Sequence, residues 1–209
     1  MKILIIGSKG NMGRRYVAIC KYLGHEVIEC DLHNIKDIYD MPPQVDRAII
    51  ATPINQHYMW CEYCIYNKIP FLCEKPISKN IEEIKELIRL SEENHVNGRM
   101  VCNWKFVVRG IPLTQGNNDI YFDYYNTGKD GFWDLIQPVY LSRKFIFKNK
   151  SPYYQCLIGM VPANQYDFDW AYFIMIDKWL QNDKHIWSLP QALEATEKLI
   201  AWAKDNYHE

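Results

Sequence analysis

The sequence predicts an α/β fold in which an N-terminal, doubly wound parallel sheet is followed by a reduced α+β C-terminal domain. In the first half of the chain, short apolar runs alternate with helical patterns, and this order favours parallel strands joined by right-handed crossovers. After Trp104 the alternation stops and turn signals appear. The 209 residues suit one complete domain and a smaller second one. We therefore predict domains at residues 1–104 and 105–209.

Five strands and the helices between them account for the N-terminal domain. Residues 2–6 form a β-branched and leucine run, which is typical of a strand buried on both faces. The next four strands are predicted at residues 26–30, 47–51, 71–73 and 100–102. Apolar stripes at helical spacing indicate helices that begin near Met12, Ile54 and Ile81, and Gly24 ends the first of them.

The C-terminal domain is predicted to mix strands and helices. Strands are expected at residues 119–125 and 143–147, and helices at residues 132–141, 167–180 and 191–204. The last helix carries an apolar stripe that includes Leu193 and Ile200. Because a shortened second domain offers little surface to bury that stripe, we expect the last helix to pack back on the N-terminal domain.

Composition and charge exclude several classes of protein. The net charge is −1 with acids and bases mixed along the chain, so nothing indicates binding to nucleic acid. No apolar run approaches the ~18 residues that a membrane span needs. The seven cysteines are scattered and no secretion signal precedes them, which favours reduced thiols and a cytoplasmic location. Cys61 and Cys64 lack a second ligand pair at suitable spacing, so we predict no metal site.

A glycine-rich loop lies directly between the first predicted strand and the first helix. Its sequence is Gly7-Ser8-Lys9-Gly10-Asn11-Met12-Gly13. A pyrophosphate needs close backbone approach and free N–H groups at a helix N-terminus, and glycine permits both. The spacing is GxxGxxG rather than the commoner GxGxxG, and a glycine-rich turn without a ligand is the alternative. We predict that all seven residues contact a dinucleotide.

An acidic residue at the end of the second strand supports a dinucleotide. Asp31 stands close to the ~20 residues beyond the glycines where a carboxylate meets the adenosine ribose hydroxyls. A carboxylate there favours NAD and repels the additional phosphate of NADP. NADP stays open, because Lys9, Arg14 and His33 could hold a phosphate.

Two further strand ends carry polar residues. Ala51-Thr52-Pro53 follows the third strand and Glu74-Lys75-Pro76 follows the fourth. Ligands of open α/β sheets bind at the carboxyl ends of the strands. A cation at Lys75 could orient a substrate hydroxyl or help to move its proton. The alternative is a surface lysine beside a glutamate.

These residues together resemble the glucose–fructose oxidoreductase / inositol dehydrogenase family, known as Gfo/Idh/MocA. The resemblance covers the first half of the chain and rests on the glycine loop, Asp31, the stretch from Ala51 to His57, the stretch from Phe71 to Pro76, and Asn103. It implies a Rossmann domain, an NAD or NADP cofactor, and hydride transfer at a hydroxyl carbon of a sugar, inositol or related polyol. It also implies a homo-oligomer and places Lys75 beside nicotinamide and substrate. By this resemblance the further cofactor contacts are Ala51, Thr52, Pro53, His57, Glu74, Lys75 and Asn103.

The second half departs from the family pattern. The family's C-terminal domain is a large open sheet, and the chain has too few residues for all of it. The family tends to have a histidine three residues before an aspartate on a helix beneath the nicotinamide. The best local match is Tyr166 with Asp169, so Tyr166 is the candidate acid/base. A phenol with a pKa near 10 is a poor base at neutral pH, and both residues could instead decorate a buried helix.

Two other functions stay open at the level of the sequence. One is a protein that binds a dinucleotide without turnover, as a sensor or assembly subunit. The other is a reductase of related architecture, since the stretch from Gly10 to Arg14 is similar to the glycine loop of dihydrodipicolinate reductase. The paired histidines of that enzyme are not found, and Lys75 argues against a mere binder.

Overall fold

A computed structural model describes residues 1–32, 35–40, 44–108, 113–116, 118–124, 131–149, 155–158 and 161–206. The chain divides into two compact units. The first contains Met1–Val101 and Ile186–Leu193, and the second contains Cys102–His185 and Glu194–Glu209. The boundary predicted between residues 104 and 105 stays a prediction.

Strands and helices alternate along the described chain. The first half contains β1 (Lys2–Ile6), α1 (Asn11–Tyr22), β2 (Glu26–Cys30), α2 (Ile35–Asp40), β3 (Arg47–Ile50), α3 (His57–Tyr66), β4 (Phe71–Cys73), α4 (Ile81–Glu93) and β5 (Gly98–Met100). The second half contains β6 (Asn118–Tyr124), α5 (Ile136–Leu141), β7 (Ser142–Asn149), β8 (Gln155–Ile158), β9 (Val161–Ala163), α6 (Gln165–Leu180), β10 (Trp187–Ser188) and α7 (Leu189–Asn206). Within the described ranges, no helix combines the length and apolar character that crossing a membrane requires.

The first unit is built on a six-stranded sheet in the order β10-β5-β4-β3-β1-β2. β1 to β5 are parallel, and β10 joins antiparallel to β5. The chain adds β2 on one side of β1 and then β3 on the other, so the strand order reverses between β1 and β3. This arrangement confirms the predicted doubly wound parallel sheet, and ligands of such sheets bind outside the carboxyl ends of the strands at that reversal.

The core of the first unit surrounds β1. All four apolar side chains of Ile3, Leu4, Ile5 and Ile6 are fully buried, because β1 lies between two strands and α1 packs on it. A β-branched run with no polar alternation is what such a strand requires.

Two strand ends differ from the prediction. β5 lies at Gly98–Met100 rather than residues 100–102, since its register pairs Gly98 with Phe71. A Cβ at Gly98 would stand 2.6 Å from the Phe71 ring, so any larger residue would have to displace that buried ring. β3 ends at Ile50, one residue earlier than predicted. α2 and β10 were not predicted, because both are short and β10 exists only through its pairing with β5.

The second unit contains a four-stranded sheet in the order β7-β6-β8-β9. β6 is parallel to β7 and antiparallel to β8, and β8 is antiparallel to β9. The helix predicted at residues 132–141 divides into a 3-10 turn, Gly131–Leu135, followed by α5. Pro138 has no N–H to donate to the preceding turn, which disfavours one regular helix.

Side chains of α6 and α7 stabilise the second unit. Asn164 caps α6 and exchanges hydrogen bonds with Asp167 in a capping box. Beyond Leu193, α7 belongs to this unit, and Tyr140 Oη donates to Glu194 at 2.7 Å. Its first turn belongs to the first unit. The packing of α7 on the N-terminal domain stays a prediction.

Candidate functional site

The loop between β1 and α1 approaches its neighbours too closely for any side chain at two positions. Gly7 has φ +84°, and a Cβ there would stand 2.6 Å from the carbonyl oxygen of Ala51. A Cβ at Gly13 would stand 2.0 Å from the carbonyl oxygen of Gly7. Both distances are far inside van der Waals contact, so the fold itself requires these glycines. The close approach brings the loop against the carboxyl end of β3.

Hydrogen bonds from the loop fix it to the end of β2. The N–H groups of Gly7 and Ser8 donate to the carbonyl oxygen of Cys30 at 2.9 and 3.1 Å. The Lys9 N–H donates to Asp31 Oδ2 at 2.8 Å. The loop therefore has a defined shape without a ligand.

The N-terminus of α1 is arranged to receive an anion. Gly10 is the N-cap and no side chain caps the helix. The first-turn N–H groups belong to Asn11, Met12 and Gly13, and the helix dipole adds partial positive charge there. A phosphate group binds such an N-terminus directly.

Two buried hydroxyl groups stand at this edge of the sheet. Among the described residues, Ser8 Oγ and Thr52 Oγ1 have no hydrogen-bond partner although both atoms are buried. Buried hydroxyls in proteins are nearly always hydrogen-bonded to protein, water or ligand. Ser8 lies in the glycine loop and Thr52 follows β3, so both stand at the carboxyl edge of the sheet. This arrangement fits a polar ligand that bridges the two strand ends.

A cleft of about 350 Å³ adjoins the glycine loop. Its lining residues are Ile6, Gly7, Gly10, Cys30, Asp31, Leu32, Ala51, Thr52, Pro53 and Gln56. A larger hollow of about 690 Å³ lies near Lys2, Asp46 and Lys68. That hollow is at the amino ends of the strands, where open α/β sheets do not bind their ligands. The smaller cleft is the candidate ligand site for this reason.

Asp31 is oriented by the backbone around it. Oδ2 accepts from the Lys9 N–H and Oδ1 accepts from the Leu32 N–H, each at 2.8 Å. Each carboxylate oxygen can accept a second hydrogen bond, so ribose hydroxyls can still be bound. His33, one of the alternative phosphate ligands, lies outside the described residues.

The ammonium group of Lys9 is directed to an acid on β2. Lys9 Nζ lies 2.9 Å from Glu29 Oε2, and Lys21 Nζ lies 3.0 Å from Glu29 Oε1. The pKa of Glu29 is lowered mainly by the hydrogen bond from Lys9 and next by the hydrogen bond from Lys21. These contacts favour the interpretation of Lys9 as an ion-pair partner over its interpretation as a phosphate ligand.

His57 joins the two loops that follow β3 and β4. The residue is 2% exposed, its Nε2 lies 2.8 Å from the Thr52 carbonyl oxygen, and its Nδ1 lies 2.8 Å from the Pro76 carbonyl oxygen. Burial lowers the pKa of His57, although the two carbonyl groups oppose this shift. A neutral ring donates one N–H, so one of the two contacts at a time is a hydrogen bond. The observed contacts position the loops, and a direct contact with cofactor stays a prediction.

Lys75 stands at the carboxyl end of β4 with its backbone fixed by Glu74. The Glu74 N–H donates to the Ile50 carbonyl oxygen at 2.9 Å, and Glu74 Oε2 accepts from the Lys75 N–H at 3.1 Å. Tyr16 Oη donates to Glu74 Oε1, and Tyr16 is fully buried. The half-buried Lys75 is therefore held at the edge where the motif predicted it.

Sequence reasoning missed Tyr16 as a partner of this site. It lies on the apolar stripe of α1, a position that by itself predicts only burial. A signal existed, since a buried tyrosine hydroxyl usually needs a hydrogen-bond partner. The identity of the partner, 58 positions away, is not visible in the local pattern.

The remaining predicted site residues belong to the second unit. Asn103 is 3% exposed, and its Oδ1 accepts from Gln137 Nε2 at 3.1 Å. Tyr166 is 84% exposed at the first turn of α6, and Asp169 is exposed on the same helix. Gln137 did not emerge from the sequence because a lone glutamine in a short helix carries no motif.

Comparisons with known proteins agree with the geometry. Residues 18–101 match the family model described as "Oxidoreductase family, NAD-binding Rossmann fold". The chain is 26% identical over 86 residues to the uncharacterized oxidoreductase YgjR of Escherichia coli (strain K12), which is 38% of this chain and 26% of that protein. The chain thus spans about a quarter of the length of the curated relative that it matches.

Solved structures share the fold at low identity. The WlbA (WbpB) dehydrogenase from Thermus thermophilus in complex with NAD and UDP-GlcNAcA has a TM-score of 0.67 and 14% identity, with 97% of this chain and 94% of that chain covered. The scyllo-inositol dehydrogenase from Lactobacillus casei, with bound NAD(H) and scyllo-inositol, has a TM-score of 0.68 and 13% identity over 99% and 96% of the two chains. The residues that the family model matches fall in the part of the chain whose sequence resembles the Gfo/Idh/MocA oxidoreductase family.

Proposed function

We propose that the protein is an NAD-dependent oxidoreductase that transfers a hydride between nicotinamide and a hydroxyl-bearing carbon of a sugar, inositol or related polyol. The observation that carries this proposal is the carboxyl edge of the first sheet. There the glycine loop and the uncapped N-terminus of α1 follow β1, Asp31 follows β2, and Lys75 follows β4. The sugar nucleotide and inositol ligands of the similar structures support a polyol as substrate.

The residues at this edge fit a dinucleotide. The first-turn amides of α1 would hold the pyrophosphate, and Ser8 Oγ and Thr52 Oγ1 would gain the partners that they lack among described residues. Asp31 would accept from the ribose hydroxyls. Its negative charge, together with the pairing of Lys9 to Glu29, favours NAD over NADP. Bound at this edge, the nicotinamide ring would supply the two-electron redox chemistry.

Lys75 has the central role among the protein's own groups. Its ammonium group would donate a hydrogen bond to the substrate oxygen, and so orient the hydroxyl and stabilise the charge that develops as the C–H bond breaks. Tyr166 is the candidate that exchanges the hydroxyl proton with solvent. Its exposure of 84% gives it direct access to water.

A Lys75→Met variant tests the catalytic assignment. Methionine keeps much of the side-chain length but removes the charge and the N–H donors. A panel of sugars, inositols and sugar acids, followed at the absorbance of reduced nicotinamide, first identifies a substrate. We expect turnover to fall by ~10²-fold or more, while NAD affinity measured by calorimetry changes little. Turnover at the wild-type rate would exclude Lys75 from catalysis.

The exposure of Tyr166 favours a second candidate function, a dinucleotide-binding protein without turnover. A tyrosine stands here where the family tends to have a histidine, and its side chain is 84% exposed rather than enclosed in a site. Tight NAD binding with no reaction across the whole panel would support this candidate. A polyol or sugar acid identified by mass spectrometry in the purified protein would support the enzyme.

We also propose a cytoplasmic location and a homo-oligomer. All seven cysteines are buried as free thiols, which suits a reducing compartment. The oligomer rests on the family resemblance and is tested by analytical ultracentrifugation.

A further inference from the structure

Lys9 is the only charged residue of the glycine loop, and both ends of it have partners on or just after β2. Its backbone N–H donates to Asp31 Oδ2 at 2.8 Å. The side chain therefore begins beside the carboxylate that we assign to the adenosine ribose. Its ammonium group lies 2.9 Å from Glu29 Oε2. The cation of the loop is thus paired with an acid that the sequence motifs did not single out.

Glu29 is placed on β2 to hold this cation. Cys30, which ends β2, is fully buried between Glu29 and Asp31. Because side chains alternate along a strand, Glu29 and the residue after Cys30 lie on the same face. Glu29 Oε1 also lies 3.0 Å from Lys21 Nζ. Each carboxylate oxygen therefore holds one ammonium group, and all of these residues belong to the first unit.

We propose that Glu29 determines cofactor specificity by withholding Lys9 from the additional phosphate of NADP. This inference rests on the proposed function, which places the adenosine ribose at Asp31. The lysine stem is a flexible chain of four carbons, so a released ammonium group can reach a phosphate that is bound beside the N–H of the same residue. In the wild type, that phosphate must compete with Glu29 for the charge.

Asp31 and Glu29 then act on NADP by different routes. Asp31 repels the additional phosphate directly, whereas Glu29 occupies the cation that would offset this repulsion. The side chains of Lys9 and Glu29 are 59% and 29% exposed, so water and salt screen their pairing. An ion pair of this kind contributes little free energy, which limits the effect of Glu29 to about fivefold in NADP affinity.

A Glu29→Gln variant releases Lys9 and keeps the size of the side chain. Calorimetric titration at low ionic strength gives the dissociation constants of NAD and NADP. We expect the variant to bind NADP about fivefold more tightly than the wild type does, and the gain to shrink as salt is added. NAD affinity should change little, because only NADP carries the phosphate that Lys9 would bind. A ratio of the two dissociation constants equal to that of the wild type overturns the inference.

A Lys9→Met background separates the release of Lys9 from the simple loss of a negative charge. Removing Glu29 also removes a charge that repels phosphate, and this alone would tighten NADP. The double variant Lys9→Met/Glu29→Gln has no ammonium group to release. Compared with Lys9→Met alone, we expect it to show no gain in NADP affinity. A gain that persists without Lys9 overturns the inference, because direct repulsion by Glu29 would then explain it.

Glu26→Gln is the matched control. Glu26 begins β2, and its Oε1 lies 3.4 Å from Lys2 Nζ. The substitution therefore removes the same charge from an ion pair on the same strand, at the end away from the cleft. We expect the ratio of dissociation constants to follow the wild type. An equal gain in Glu26→Gln and Glu29→Gln would reflect net charge alone and overturns the inference.

Lys9→Met by itself keeps the inference testable if Glu29→Gln fails to fold. Because Glu29 withholds the wild-type lysine, we expect its replacement to leave NADP affinity nearly unchanged. A loss of about fivefold or more would mean that Lys9 already binds the phosphate, and it overturns the inference. Any of these contrary results with intact NAD binding leaves the proposed function standing. A wild-type protein that binds neither NAD nor NADP overturns both.

Discussion

At the scale of single residues, Asp31 has an observed local role and a proposed role toward the cofactor. In the structure it accepts two backbone N–H groups and so shapes the glycine loop. The Asp31 carboxylate also lies at the end of β2, where we expect the adenosine ribose to bind. Lys9 could have bound the additional phosphate of NADP, but its ammonium group pairs with Glu29 instead. The proposed preference for NAD over NADP therefore rests on Asp31 and Lys9 rather than on the glycine motif.

Replacing Asp31 by alanine should narrow the preference for NAD over NADP. The change removes an acceptor for the ribose hydroxyls and a charge that repels the additional phosphate. Calorimetric titration with both dinucleotides measures the ratio of dissociation constants, which we expect to fall by about tenfold, the effect of one charge-assisted hydrogen bond.

Asp46→Ala is the matched control for this substitution. Asp46 accepts from the Lys2 N–H at 2.7 Å at the opposite edge of the sheet, so the same charge is lost away from the cleft. A ratio that moves equally in both variants, or a wild type that prefers NADP, contradicts the role given to Asp31.

At the scale of elements, the candidate site is made from the loops that follow the four parallel strands β1 to β4. Tyr16 of α1 donates to Glu74 after β4, and His57 at the start of α3 lies between the loops after β3 and β4. Helices thus fix strand ends through a few buried polar contacts. Such contacts are sensitive to protonation, because a group held away from water resists charging.

His57 should make the stability of the protein depend on pH. Burial lowers its folded pKa below the unfolded value of about 6.5. The unfolded state then binds more protons as pH falls, so stability is fully present above about pH 6.5 and is lost as pH falls through the folded pKa. We expect His57→Asn to flatten this dependence in chemical denaturation measured at a series of pH values.

The exposed His95 provides the comparison for His57. Its φ of 56° lies in the left-handed region, which asparagine tolerates, so His95→Asn preserves the turn. This variant should keep the wild-type slope of stability against pH. An unchanged slope in His57→Asn would show that the histidine between the two loops does not titrate with unfolding.

At the scale of the whole molecule, the first unit is not one continuous stretch of chain. Ile186–Leu193 returns to it, and β10 extends its sheet beside β5. Arg99 Nη1 donates to the Ile186 carbonyl oxygen at 3.0 Å, and Leu189 is 2% exposed near Gly98. Residues late in the sequence therefore complete the sheet that carries the glycine loop.

Shortened chains test whether the returning segment Ile186–Leu193 stabilises the first unit. A chain that ends at Ser188 loses the buried Leu189, whereas a chain that ends at Leu193 keeps the whole returning segment. Hydrogen exchange of the β4 and β5 amides reports on the first unit alone. We expect faster exchange in the shorter chain, because deleting a buried leucine costs about 2–5 kcal/mol. Equal exchange in the two chains would contradict a stabilising role for the start of α7.

Local sequence patterns are sufficient to predict the parallel sheet, the glycine loop and the strand ends that carry Asp31 and Lys75. These features are readable because each depends on neighbouring residues: a buried strand needs an apolar run, and a loop that would bring a Cβ within 2.6 Å of a carbonyl oxygen needs glycine. The tertiary structure alone decided that Tyr16 supports Glu74, that Gln137 donates to Asn103, and that β10 pairs with β5. The paired residues are far apart in the chain, and local periodicity contains no information about which distant group will satisfy a buried donor or acceptor.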